Sequence, residues 1–130
     1  DFAGYVRDPE RLAGLMGQAD LLLQPSRWEG LCATLIEALA CGAHVVATDS
    51  TPNIRPVLAA AGQHPPVPVG DAAALARAIE RTLARPAAPA LLDAAVREHG
   101  AARALDAYLD AFAALVRRPT PLLSPSPALP

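Results

Sequence analysis

Two short apolar runs constrain this chain most. Leu21-Leu22-Leu23 and Val45-Val46-Ala47 show no alternation of apolar and polar residues, the pattern of strands whose sheet is covered on both faces. Between them lie a polar turn, Pro25-Ser26-Arg27-Trp28-Glu29, and then a helical pattern that Gly42 stops. Strand, helix and strand in that order argue a parallel crossover. The expected fold class is therefore α/β, a partial Rossmann-like parallel sheet with flanking helices, followed by C-terminal helices.

The other elements follow in order. Asp1 to Val6 reads as a short strand or the end of one. Asp8-Pro9 opens a helix, with Asp8 as N-cap and Pro9 at the first position, and it ends near Gly17 or Gln18. Leu21 to Gln24 is a strand, a central helix runs from about Gly30 to Cys41, and His44 to Thr48 is the next strand. A turn-rich loop, Asp49 to Asn53, leads to a short helix over Ile54 to Ala61, closed by Gly62. Val67 to Val69, among prolines, suits only a short edge strand. Asp71 caps a helix to about Ala84, with Leu75, Ile79 and Leu83 as its buried line, and Pro86 ends it. Helices over Pro89 to Glu98 and Ala102 to Arg117 follow, the second with Leu105, Leu109, Phe112 and Leu115/Val116 on one side. Residues 1–118 read as one domain, and Pro119 to Pro130, with five prolines, as an extended tail.

Two carboxylates bracket the central helix. Glu29 stands at its expected mouth and Glu37 inside it. A helix start leaves amide N–H groups unpaired and carries a partial positive charge, so it suits phosphate. Eight residues of helix span roughly 12 Å, about the reach from a sugar ring across a diphosphate to a ribose. Carboxylates accept hydrogen bonds from vicinal hydroxyls. Gly30, Thr34, Glu37 and Cys41 fall on one small or polar stripe, while Leu31, Cys32, Leu35, Ile36 and Leu39 form the apolar side. From spacing alone, two glutamates on an amphipathic helix more often mark a solvated face. Their place after an apolar strand favours a ligand, because open α/β sheets bind ligands beyond the carboxyl ends of their strands.

The ordered set Phe2-x-Gly4-Tyr5-Val6, Ala19-Asp20-Leu21-Leu22-Leu23-x-Pro25-Ser26-Arg27-x-Glu29-Gly30, Thr34-Leu35-Ile36-Glu37-Ala38-x-Ala40-x-Gly42, Val45-Val46-Ala47-Thr48-Asp49 and Val67-Pro68-Val69-Gly70-Asp71 resembles the C-terminal domain of GT-B glycosyltransferases of family 4, also called glycosyltransferase group 1. Glu29 and Glu37 match that family's E-x7-E pair, and the resemblance covers roughly the first two-thirds of the chain. It implies a retaining transferase that moves a sugar from a nucleoside-diphosphate sugar to an acceptor hydroxyl, in glycan or polysaccharide biosynthesis. It also implies that no cofactor and no bound metal are needed. Glu29 would contact the transferred sugar and is the candidate catalytic residue, though not a nucleophile. The backbone at Gly30, Leu31, Cys32, Ala33 and Thr34 would meet sugar and phosphates, and Glu37 would take the ribose hydroxyls. Gly4-Tyr5-Val6 would lie near the base. The chain would then be the C-terminal half of a GT-B donor-binding domain. Its expected partners are the donor, a glycan or lipid-linked acceptor, and the N-terminal domain of the same enzyme. The expected location is cytoplasmic, including the inner face of the plasma membrane. Asp1, not a methionine, fits a fragment whose beginning is lost, and the isolated piece is expected to be inactive.

Two positions depart from the resembled pattern. Cys32 stands where the family often has glycine, and Thr51-Pro52-Asn53-Ile54-Arg55-Pro56 replaces a glycine-rich loop with a glutamate. A nucleotide-sugar epimerase of the same architecture would want a histidine in the cleft, and His44, His64 and His99 are scattered. A non-catalytic α/β interaction module is the alternative from another class.

The net charge of −2 gives no electrostatic case for nucleic acid. Cys32 and Cys41 on one helix would lie roughly 13 Å apart, beyond disulfide reach, which suits a reducing compartment. No run approaches the ~20 apolar residues of a membrane span. Trp28 is expected to pack under its loop rather than stack on a sugar. Arg27 reads equally as a phosphate contact or as a counter-charge to Glu29.

Overall fold

The computed structural model describes residues 1–117. The expectation of a mobile Pro119 to Pro130 tail falls outside them. Two compact units are present, Asp1–His99 and a second from Gly100 onward.

In the first unit the order is α1 (Pro9–Gly17), β1 (Leu21–Gln24), α2 (Ala33–Ala40), β2 (His44–Ala47), α3 (Ile54–Ala60), α4 (Ala72–Ala84) and α5 (Pro89–Arg97). Strands β1 and β2 pair in parallel, with Leu22 opposite Val45 and Gln24 opposite Ala47. The absence of alternation has the expected cause. Val45 and Ala47 face a core built from Leu35 and Leu39 of α2, Ile54 and Leu58 of α3, and Leu92 of α5. Val46, between them, points the other way, onto Val67 and Ala78, flanked by Leu21, Leu75 and Ile79. Both faces of β2 are thus covered, whereas β1 departs from the expectation, since Leu23 is exposed.

Local chemistry sets the helix ends. Asp8 accepts the amide of Glu10 at 3.0 Å with Pro9 in the first turn, and Asp71 accepts the amide of Ala74 at 2.8 Å. Gly42, at φ +83°, closes α2: its amide donates to Leu39 O, and that of Ala43 reaches back to Ala38 O, both at 3.0 Å. Gly62, at φ +63°, repeats this pattern after α3, with Gln63 N bonded to Leu58 O at 2.8 Å. These are Schellman closures, which need a left-handed residue.

Several expectations are corrected. Residues 1–6 form no strand, because with no neighbouring strand an extended segment has no acceptors for its amides. Val67–Val69 is reduced to one parallel bridge, Thr48 to Val67, held by Val67 N to Ala47 O at 3.0 Å and Asp49 N to Val67 O at 2.7 Å. Thr48 therefore leaves β2 to serve this bridge. On α4 the fully buried residues are Ala78 and Thr82, with Leu75 and Ile79 partly buried beside them as expected, while Leu83 is exposed, since small residues let the helix approach β2. The central helix begins at Ala33, three residues later than Gly30.

The second unit is α6 (Ala101–Arg117). Its apolar side carries Leu105, Leu109, Phe112, Leu115 and Val116, all exposed, and Tyr108 stacks on Phe112 with ring centroids 6.3 Å apart. Among the described residues no helix is long and apolar enough to cross a membrane.

Candidate active site

The carboxyl ends of β1 and β2 carry the candidate site. From β1 the chain passes through Pro25 to Leu31, and from β2 through Thr48 to Asn53. The two loops are sewn together. Thr48 donates its amide to Gln24 O at 3.1 Å and its hydroxyl to Ser26 O, and Glu29 donates its amide to Ser50 O at 3.4 Å. Parallel pairing brings both strand ends to one edge, so residues far apart in sequence meet there.

Glu29 is half-buried. Its side-chain partner is Ser26, whose Oγ donates to Oε1 at 2.6 Å. That answers the question of Arg27, which is exposed and is not the group holding Glu29. Trp28 is 80% exposed and does not pack under the loop, and Leu31, at 68%, does not join the apolar side of α2.

Cys32 explains the late helix start. It is the N-cap of α2, at φ +55° and ψ +41° in the left-handed region, with no side-chain cap bond. It is the only non-glycine residue with positive φ among the described residues. A glycine would take this conformation freely, whereas an L-residue with a Cβ costs roughly 1–2 kcal/mol there. The cysteine is held because its side chain is 6% exposed and packs with Leu35 and Leu39. Burial, and next the charge of Glu29, push its thiol pKa up, with the Gln24 side chain opposing. Cys32 and Cys41 flank α2 and both are free thiols.

Because the left-handed residue breaks the helical repeat, Gly30 is not on the helix and does not share a stripe with Thr34, Glu37 and Cys41. The 12 Å helical ruler between the two acids fails for the same reason. The helix mouth is nonetheless open. Gly30, Leu31, Ala33 and Thr34 are exposed. Among the described residues the amides of Gly30 to Thr34 find no backbone acceptor, and the first such bond is Leu35 N to Cys32 O at 3.1 Å. Glu37 is exposed and lines a hollow of about 250 Å³ between α1 and α2, with Pro9, Leu12, Ala13, Met16, Ala40 and Cys41. That floor is apolar and the single charge at its rim is Glu37.

Against this geometry, a family model described as "Glycosyl transferases group 1" matches residues 1–99. The chain belongs to the group 1 glycosyltransferases. No curated protein and no solved structure matches it. As a group 1 glycosyltransferase, the chain has a role in glycosyl transfer, which implies a nucleotide-sugar donor and an acceptor. The matched residues end where the first compact unit ends, so α6 lies beyond the family match.

Two members of the loop cluster, Ser26 and Ser50, received no role from sequence. Ser26, three residues before Glu29, is a spacing at which a hydroxyl meets a carboxylate across a turn. Ser50 gives no sequence signal, because its neighbours come from a different strand.

Proposed function

We propose that this group 1 glycosyltransferase is a retaining enzyme of the GT-B family 4 type. It moves a sugar from a nucleoside-diphosphate sugar to an acceptor hydroxyl in glycan or polysaccharide biosynthesis, and residues 1–99 are the donor-binding part. One observation supports the reading: among the described residues the amides of Gly30 to Thr34, at the start of α2, have no backbone acceptor, and Glu29 stands in the turn just before them.

The chemistry follows from that arrangement. The leaving diphosphate gains charge as the glycosidic bond breaks, and oriented N–H dipoles already aimed at it stabilise that charge without reorganising. The amides of Gly30 to Thr34 have this role, helped by the partial positive charge of the helix start. Glu29, fixed by Ser26, accepts hydrogen bonds from the transferred sugar and orients it toward the acceptor. Glu37 accepts the ribose hydroxyls, and the apolar hollow beside it takes the adjoining face of the nucleoside. No metal and no protein nucleophile enters this scheme. Acceptor recognition needs the N-terminal domain of the enzyme, so the 130-residue chain is proposed to bind donor without transferring sugar.

Calorimetric titration of uridine, guanosine, adenosine and thymidine diphosphates into the chain tests this. At least one should bind, and Glu37→Ala should weaken it roughly tenfold, the worth of a charged hydrogen bond. Failure of all four to bind would favour a non-catalytic module. Sugar transfer by the chain alone would refute its proposed inactivity.

A further inference from the structure

Helix α6 carries more exposed apolar surface than a solvated helix needs. Leu105, Tyr108, Leu109, Phe112, Leu115 and Val116 are each between 57% and 86% exposed. They stand at i, i+3, i+4, i+7, i+10 and i+11, so all six share one face. The charges lie elsewhere: Arg103, Asp106, Asp110 and Arg117 fall on the opposite side of the same helix. Apolar side chains scattered singly are ordinary, but a continuous stripe marks a contact surface. At roughly 100 Å² each, the six expose about 600 Å², the upper end for the largest apolar patch of a monomer.

The order of the side chains says what fits the stripe. Leu105, Tyr108, Phe112 and Leu115 are spaced three, four and three residues apart, the a and d positions of two heptads. Read from either end, the series is leucine, aromatic, aromatic, leucine, with the same spacing. A helix laid antiparallel on a copy of itself therefore sets Leu105 against Leu115 of the second copy, and Tyr108 against Phe112 of the second copy. Within one helix Tyr108 already stacks on Phe112, with centroids 6.3 Å apart and planes 24° apart. Pairing gathers four rings around the axis, where aromatic contacts add to simple burial. Ala104 and Ala111 flank the seam at the g positions and let the helices approach closely. Opposed helix dipoles favour the antiparallel sense.

We infer that α6 pairs with α6 of a second copy of this chain, antiparallel about a two-fold axis level with Asp110. A two-fold contact requires a surface complementary to itself, and the reversible series supplies one. Two stripes together bury about 1,200 Å², the lower limit for a stable interface, so the dimer is weak, with a dissociation constant on the order of 10–100 µM. The inference does not depend on the donor reading, because α6 lies beyond the family match.

Sedimentation equilibrium of the 130-residue chain over about 5 to 500 µM gives the test, since such a dimer follows mass action. The mass should rise from one chain toward two and stop there. Phe112→Asp puts a charge among the rings and should raise the dissociation constant at least tenfold, while Phe112→Leu should keep it within about threefold. Asp106→Lys, on the opposite side of the helix, should leave it unchanged. Orientation is read by oxidative cross-linking in a Cys41→Ser background, Cys32 being buried. Leu105→Cys and Leu115→Cys chains should form a disulfide when mixed, and not when either is alone. A chain monomeric throughout, a dimer indifferent to Phe112→Asp, or cross-links within either single variant would overturn the inference. So would a monomeric chain that sediments with phosphatidylglycerol vesicles, which would give the face to a membrane.

Discussion

Ser26 donates its hydroxyl to Glu29 Oε1 at 2.6 Å across the turn that leaves β1. The bond orients the carboxylate assigned to the transferred sugar, and Ser26 is itself anchored because its carbonyl accepts from Thr48. Ser26→Ala should lower the affinity for a nucleoside-diphosphate sugar roughly three- to tenfold, about 0.7–1.4 kcal/mol. Affinity for the bare nucleoside diphosphate should not change. Paired titrations of the two ligands check this, and equal losses for both would contradict the assignment of Glu29 to the sugar.

Gly42 and Gly62 close α2 and α3 in the same way but in different surroundings. A Cβ at Gly42 would meet nothing within 4 Å, whereas one at Gly62 would lie 2.6 Å from Leu91 Cδ1. Gly42→Ala should therefore cost only the left-handed backbone term, about 1 kcal/mol. Gly62→Ala should cost somewhat more, about 1–2 kcal/mol, because the half-exposed Leu91 side chain must also rotate away. Urea unfolding of both variants measures the difference.

Cys32 supports two opposed changes. Cys32→Gly removes left-handed strain but also a buried side chain, and the two terms of about 1 kcal/mol should nearly cancel. Cys32→Val puts a β-branched residue at positive φ and should destabilise by about 2 kcal/mol or more. Near-equal urea midpoints for the two variants would show that the strain is absent.

The same thiol gives a pH signature. Its pKa is raised in the folded state from an ordinary value of 9.0, so the folded chain holds the proton more tightly than the unfolded chain. The contribution is complete below about pH 9 and is lost as pH rises through the folded pKa. Stability of the native sequence should therefore fall more steeply above pH 9 than that of Cys32→Ala. Parallel slopes would remove the effect.

Gln63 clips the outer edge of β2. Its Oε1 accepts the amide of Val45 at 3.1 Å and its Nε2 donates to Ala61 O at 3.2 Å. Gln63→Leu leaves a buried amide unpaired and should cost about 1–3 kcal/mol. Hydrogen exchange at Val45 should speed up more than at Val46. Unchanged protection at Val45 would argue against the clip.

The helix boundaries were legible in the sequence wherever one residue type dictates them, as at Asp8-Pro9, Gly42, Gly62, Asp71 and Pro86. Strand β2 was legible as buried because an unbroken apolar run means two covered faces, but the similar run of β1 leaves Leu23 exposed. The start of α2 was not, since its residues favour a helix from Gly30 and only the left-handed turn at Cys32 delays it. Leu31 and Trp28 were misplaced for the same reason: a turn, unlike a helix, has no periodicity that tells which side chains are covered. The reduced strand at Val67 and the inward turn of Ala78 and Thr82 depend on how closely α4 approaches β2, which sequence does not encode locally. The two acids are proposed from their setting, and the neighbours of Glu29, Ser26 and Ser50, emerge only from the loops' meeting in space.

The left-handed break at Cys32 hangs Glu29 and Glu37 from different supports. One belongs to a turn laced to the 48–50 segment, the other to the shaft of α2. Displacing that segment would carry the first acid along and leave the second where it is. A molecule touching both would thus meet one acid set by a loop and one set by a helix, each positioned independently of the other.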